Sequence, residues 1–263
     1  MAMKQAPVFF VSHGAPTFAL ESGLLGPRLQ ALGQQVSGVK AVLVVSPHWQ
    51  THTVCVMTTA APSTMHDFGG FAQALYGLQY PAPGSPAYAL EAARLLSQAG
   101  FTVDLDEQRG LDHGAWVPLR YLLPNADVPV FQVSMPVSLN AAGAVRLGQA
   151  LAPLRERGVI ILASGSLTHN LYEFRPSDSA EVSPYVLEFV EWARQAVVDH
   201  DLERLVDYRQ SAPHAQRAHP SEEHFLPLLV AMGARTDDEA AQVIDGGVTY
   251  GILSMESYLW GLS

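Results

Sequence analysis

The sequence predicts an α/β sandwich around a largely parallel or mixed central sheet, and three observations predict it. Short apolar, β-branched runs alternate with segments of helical spacing along all 263 residues. Two of those runs end in a histidine, Val8-Phe9-Phe10-Val11-Ser12-His13-Gly14 and Ala41-Val42-Leu43-Val44-Val45-Ser46-Pro47-His48-Trp49. The runs read as near-continuous hydrophobic stretches, as strands buried on both faces do.

The first run, 7–12, is followed by Gly14, Ala15 and Pro16, which turn the chain and leave His13 at a strand end. A helical segment over 22–35 leads to the second run, 41–47, where Pro47 cannot donate a ladder hydrogen bond and is expected to end the strand. Further strands are predicted at 54–59, 101–105, 129–135 and 159–164, with an alternating last one at 251–260. Helices are predicted at 86–98, 141–156, 184–198 and 220–232. The last begins with Pro220, Ser221 and two carboxylates, residues that suit the first positions of a helix. Stretches Pro62 to Phe71 and Tyr80 to Pro86 read as ordered loops over a site, and Asp178 to Ser183 and Thr236 to Ala241 as solvated surface. No repeat or compositional shift marks a boundary, so residues 1–263 are expected to form a single domain.

Composition narrows the function. A net charge of -10 and the lack of any Lys/Arg run argue against nucleic acid as a partner. No apolar run approaches the ~18 residues of a membrane span, and no signal segment is evident, so the cytoplasm is expected. The single cysteine, Cys55, excludes an internal disulfide and a cysteine zinc knuckle, and reads as a small core residue. Neither a Gly-x-Ser-x-Gly elbow nor a phosphate or dinucleotide loop is present, so serine hydrolases, kinases and nicotinamide enzymes recede.

Histidine carries the chemistry. If both histidine-ended strands run the same way in one sheet, His13 and His48 emerge at the edge where α/β sheets bind ligands. Neutral imidazole is the common ligand of zinc and iron, so a histidine metal site follows. The segment 218–228 offers a third ligand, His224 or Glu223, with His219 expected at the surface. His169, past the 159–164 run, should reach the same edge as a ligand or a base. His113 opens a short helical segment between glycines, and Asp112 beside it points away, so no dyad between them is assumed. His66, with Phe68 and Phe71, is a candidate for the substrate mouth or a loop residue bonded to backbone. His52, His200 and His214 are assigned to the surface.

Seven stretches in order along the chain carry a family resemblance: Phe10-Val11-Ser12-His13-Gly14-Ala15-Pro16, Val45-Ser46-Pro47-His48-Trp49, Met65-His66-Asp67-Phe68-Gly69-Gly70-Phe71, Tyr80-Pro81-Ala82-Pro83-Gly84-Ser85-Pro86, Asp112-His113-Gly114-Ala115-Trp116, Ala163-Ser164-Gly165-Ser166-Leu167-Thr168-His169-Asn170-Leu171 and Glu223-His224-Phe225-Leu226-Pro227-Leu228. In these the chain resembles the extradiol ring-cleavage dioxygenases of the LigB superfamily, of the 4,5-DOPA dioxygenase type. The resemblance implies an αβα sandwich and one divalent metal held by His13, His48 and His224, with His169 as a fourth ligand or the catalytic base. His113 would donate to bound oxygen or orient substrate, and His66 and Phe68 would line the substrate. It implies Fe(II) for activity, with Zn(II) able to fill the same site but unable to pass electrons to O2. A catechol such as DOPA and O2 would yield a muconic semialdehyde, in a monomer or homodimer. A zinc-dependent hydrolase is the rival enzyme, and a Memo-like interaction protein on the same fold is the rival from another class.

Overall fold

The structure is a computed structural model and describes residues 5–175 and 181–262. Ten strands are described: β1 Val8–Ser12, β2 Ala41–Thr51, β3 Val54–Met57, β4 Val103–Asp106, β5 Val130–Pro136, β6 Val159–Gly165, β7 Gln242–Ile244, β8 Val248–Thr249, β9 Leu253–Ser254 and β10 Ser257–Trp260. The helices are α1 Leu25–Gly33, α2 Gln73–Tyr76, α3 Pro86–Gln98, α4 His113–Leu122, α5 Ala141–Leu151, α6 Pro184–Val198, α7 Leu202–Val206, α8 Tyr208–Ser211, α9 Ala215–Ala218 and α10 Leu226–Ala234. Eight strands form one mixed sheet in the order β4-β3-β5-β2-β6-β1-β10-β7, and helices flank it. Its centre is parallel, β5, β2, β6 and β1 in register through β6, while β3 and β10 pair antiparallel. Both histidine-bearing strands therefore point the same way, separated by β6.

The central strands are buried on both faces because helices cover them, which is why they lack polar alternation. α10 is apolar all round, Leu-Pro-Leu-Leu-Val-Ala-Met-Gly-Ala, and every residue of it is buried. It packs against α5 at backbone distance, since a Cβ on Gly148 would lie 2.0 Å from the Val230 carbonyl oxygen and one on Gly233 would lie 2.1 Å from that of Val145. α4 packs on β2 and α1, capped by Asp112, whose carboxylate accepts from the Ala115 N–H.

Four elements differ from expectation. β2 does not end at Pro47 but runs on to Thr51, because the ladder to β5 shifts between Val45↔Val133 and Gln50↔Met135. Ser46 to Trp49 thus bulge opposite the single residue Ser134, and Pro47 sits where no ladder N–H is needed. The helix expected from Pro220 begins only at Leu226, with turns before it, because the Ser166 N–H takes the His224 carbonyl and draws this segment onto the end of β6. The last strand is broken into β9 and β10, and the 152–157 stretch of the fifth expected helix tightens into a separate 3-10 segment. Residues 178–180 of the expected surface stretch lie outside the described residues, and Ser183 is buried against Gly251, to whose carbonyl its N–H donates. Cys55 is half-buried at the margin of the core and free. Among the described residues no helix is long and apolar enough to cross a membrane.

Candidate metal centre

His13 follows β1 directly, its N–H donating to the Gly165 carbonyl at the end of β6. The turn after it needs Gly14, which has φ +61, where a Cβ would also displace the end of the Met255 side chain. His48 protrudes from the β2 bulge. That bulge is held from beneath by the buried Asp112, which accepts from Ser46 Oγ (2.8 Å), Gln132 Nε2 (2.8 Å) and Arg109 Nη2 (2.9 Å). Arg109 also donates to the His48 carbonyl and stacks on Trp49. His113 is the first residue of α4, and Gly114 beside it lets Ser46 approach to where a Cβ would sit. His224 and His169 come from the turns around the end of β6, where the His169 N–H donates to the Ala218 carbonyl.

These five imidazoles converge. Ring centres lie 5.0 Å apart for His13 and His48, 3.9 Å for His48 and His113, and 5.5 Å for His13 with either His113 or His224. His48 and His224 are 5.2 Å apart, and His169 stacks on His224 at 3.5 Å. Ligand atoms close enough to share an ion fall into two adjoining triads, His13–His48–His113 and His169–Glu223–His224.

Hydrogen bonding decides which nitrogen faces this space. His113 Nδ1 lies 3.0 Å from Asp67 Oδ2 and His224 Nδ1 lies 3.0 Å from Glu223 Oε1. A carboxylate only accepts, so each ring in its neutral form carries its proton on Nδ1 and an electron pair on Nε2. Nε2 of His224 is buried with no partner. His13 Nδ1 is held 2.9 Å from Ser164 Oγ, and its Nε2 stands 3.1 Å from Nε2 of His48. Ring nitrogens turned inward, with the rings of His13, His113 and His224 held from behind by an oxygen, are what metal-ligating histidines require, and an imidazole donor set suits zinc or iron. The residues therefore fit a divalent metal.

Electrostatics agree. Burial, then the crowding of neighbouring imidazoles, pushes His13 and His224 well below the usual histidine range. Burial and then His113 lower His48 to about 4, and burial lowers His169 to about 4. All four are neutral at pH 7, the form that ligates. Burial pushes Asp67 up, but the His113 hydrogen bond outweighs it and holds the carboxyl at about 2.

The whole chain can be compared with known proteins on this footing. Residues 11–259 match the family described as the catalytic LigB subunit of aromatic ring-opening dioxygenase. The chain belongs to the LigB family. It is thus an aromatic ring-opening dioxygenase, an oxidoreductase of a metal-dependent family that acts on a small molecule and O2. Among its relatives are proteins named 4,5-DOPA dioxygenase extradiol from Beta vulgaris, 41% identical over 95% of this chain and 94% of that one, and from Escherichia coli K12, 36% identical over 98% and 95%. The crystal structure of an uncharacterized protein from Escherichia coli K12 superposes with a TM-score of 0.82 at 33% identity, covering 97% of this chain and 99% of that one.

In this LigB-family chain the remaining histidines are placed as follows. His66 is tied by Nε2 to the Leu78 carbonyl (3.0 Å), behind Phe68, while Phe68 sets its edge against His113 at 5.6 Å. His52 is exposed, His200 half-buried, and His214 pairs with Glu188 at the surface. His219 is not at the surface as expected: it is fully buried, donates from Nε2 to the Leu167 carbonyl (2.9 Å), and is packed by Phe189, Tyr208 and Phe225. The short helices α8 and α9 carry the chain over it. In its neutral form His113 donates its one ring N–H to Asp67, which leaves the ring nitrogen that faces the cluster as an acceptor. Asp67, Ser164, Arg109 and the Asp112 network were not singled out for the site. Their signal lies in tertiary pairing, apart from Asp67, which adjoins the already noted His66 and Phe68.

Proposed function

We propose that this enzyme is an extradiol dioxygenase that opens the ring of a catechol, DOPA or a close analogue, to a muconic semialdehyde. His13, His48 and His224 hold a ferrous ion in this reading, with residues 1–263 acting as one catalytic domain in the reducing cytoplasm. The observation that carries it is the orphaned, buried Nε2 of His224, on a ring whose centre lies 5.5 Å from that of His13 and 5.2 Å from that of His48, together with the facing Nε2 atoms of His13 and His48. The relatives' names supply the substrate class. When bound, Fe(II) supplies the redox capacity to activate O2 and the positive charge that favours an ionised catechol, whereas zinc would fill the same donors without that redox capacity.

The chain's own residues do the rest. His169, neutral above about pH 4, accepts a catechol proton at an imidazole nitrogen, with Glu223 near enough to stabilise the cation formed. His113 presents Nε2 as an acceptor that orients a substrate hydroxyl. Phe68, backed by His66, Phe71 and Trp116, forms an apolar aromatic wall for the ring and keeps water from that side.

The test is reconstitution of the metal-free protein without oxygen, using Fe(II) or Zn(II), followed by DOPA and simpler catechols in air. Oxygen uptake and a yellow semialdehyde with iron, and neither with zinc, are expected. No uptake with any catechol despite bound iron would overturn the reading.

A further inference from the structure

One carboxylate faces the histidine cluster from the substrate-wall loop. Asp67 Oδ1 accepts the backbone N–H of His113 (2.8 Å), Oδ2 accepts the ring Nδ1–H of the same residue (3.0 Å), and Oδ2 is 3.9 Å from His48 Nδ1. Its neighbour Phe68 lies edge-on to the His113 ring. We infer that Asp67 is a positioning residue that fixes the tautomer and ring plane of His113, setting its Nε2 electron pair toward the shared centre. The inference rests on the proposed reaction only for its kinetic arm.

The geometry leaves little choice of tautomer. With two bonds from one carboxylate to one residue, rotation of the ring by half a turn would place a carbon against Oδ2 and cost a charge-assisted hydrogen bond. Moving the proton to Nε2 would set an electron pair against a carboxylate, which repels it. The helix start is held by the same group, since the His113 N–H is among the first of α4 and needs an acceptor from outside the helix. One residue therefore fixes the backbone position, the ring orientation and the proton of His113 together. A second consequence concerns the wall: because Asp67 precedes Phe68, a ring held by Asp67 keeps the aromatic wall in contact with His113.

The test uses Asp67→Asn, which keeps the shape but can offer an amide N–H toward the ring, and Asp67→Glu, which keeps the charge. Long-range proton–nitrogen NMR of the metal-free protein reads the tautomer of His113, assigned by His113→Gln. We expect wild type to be protonated on Nδ1, Asp67→Asn to shift toward the Nε2–H form, and Asp67→Glu to restore part of the original signal. In the kinetic arm, Asp67→Asn lowers kcat on the order of 100-fold, as substitution of groups that orient a site histidine does, with KM changed less than about threefold. In a His113→Gln background the same change costs less than about twofold more, because its effect passes through His113. A wild-type tautomer in Asp67→Asn overturns the inference, whatever happens to kcat. So does an additive loss in the double variant. If wild type opens no catechol, the proposed reaction fails while the tautomer measurement still decides the role of Asp67.

Discussion

His113 and His224 differ in what stands behind them and in what they face, and the difference predicts separable phenotypes. His224 has a buried Nε2 with no protein partner among the described residues, so an atom from outside the chain, such as a metal ion, is what satisfies it. His224→Ala is expected to lose the metal, measured by elemental analysis after dialysis, while His113→Ala keeps the metal and loses turnover by about 100-fold or more. The reverse pattern would move the third ligand to His113, which the triad with His13 and His48 also brings close. His219 makes a different prediction from the one its sequence context suggested. Fully buried among aromatic rings, it leaves a cavity and an unpaired Leu167 carbonyl when cut to alanine, so His219→Ala is expected to cost about 2–4 kcal/mol in urea unfolding while the folded fraction binds metal normally.

Between elements, the site depends on how closely the 218–225 segment approaches β6. A Cβ on Gly165 would stand 2.4 Å from the His224 carbonyl oxygen, so Gly165→Ala must push the ligand segment off the strand end. Weaker metal binding, by about tenfold or more in a chelator competition, is expected from this one methyl at a residue that touches no metal; unchanged affinity would show that the segment adapts. Strand and helix periodicity made most elements legible, including 86–98 and 184–198 to the residue. The turn residues after β1 likewise pointed to His13 as an edge residue. What was not legible has one physical source: it depends on partners far apart in sequence. The β2 bulge is imposed by β5, the late start of α10 by Ser166, and the burial of His219 by helices too short to show a period. Ser164 became meaningful only once it stood behind the His13 ring, and Glu223, a candidate ligand by sequence, stands behind the ring of His224 instead.

At the scale of the molecule, the clustered histidines make the metal-free fold sensitive to mild acid. The sign follows from linkage: His48 and His169 at about 4 and His219 at about 3 stay unprotonated when folded, whereas the unfolded chain takes up protons near pH 6.5. Stability is then full above about 6.5 and falls as pH drops toward 4, each group contributing up to about 1.4 kcal/mol per pH unit. The urea midpoint of metal-free protein should fall steeply between pH 7 and 5, a range in which ordinary carboxylates hardly titrate. A flat profile there would contradict the burial of these rings. Divalent metal at 100 times its Kd should add about 2.7 kcal/mol at pH 7. The pairing of β1 with β10 has a consequence in time rather than in space. Ser12 donates its N–H to Ser257 Oγ, across 245 residues of chain, and the next residue is His13. During synthesis β1 therefore emerges early and waits without its neighbour while the rest of the sheet is made. In refolding a pairing that spans nearly the whole chain is slow to form, so ring-opening capacity is expected as a late phase, after helical content has already returned.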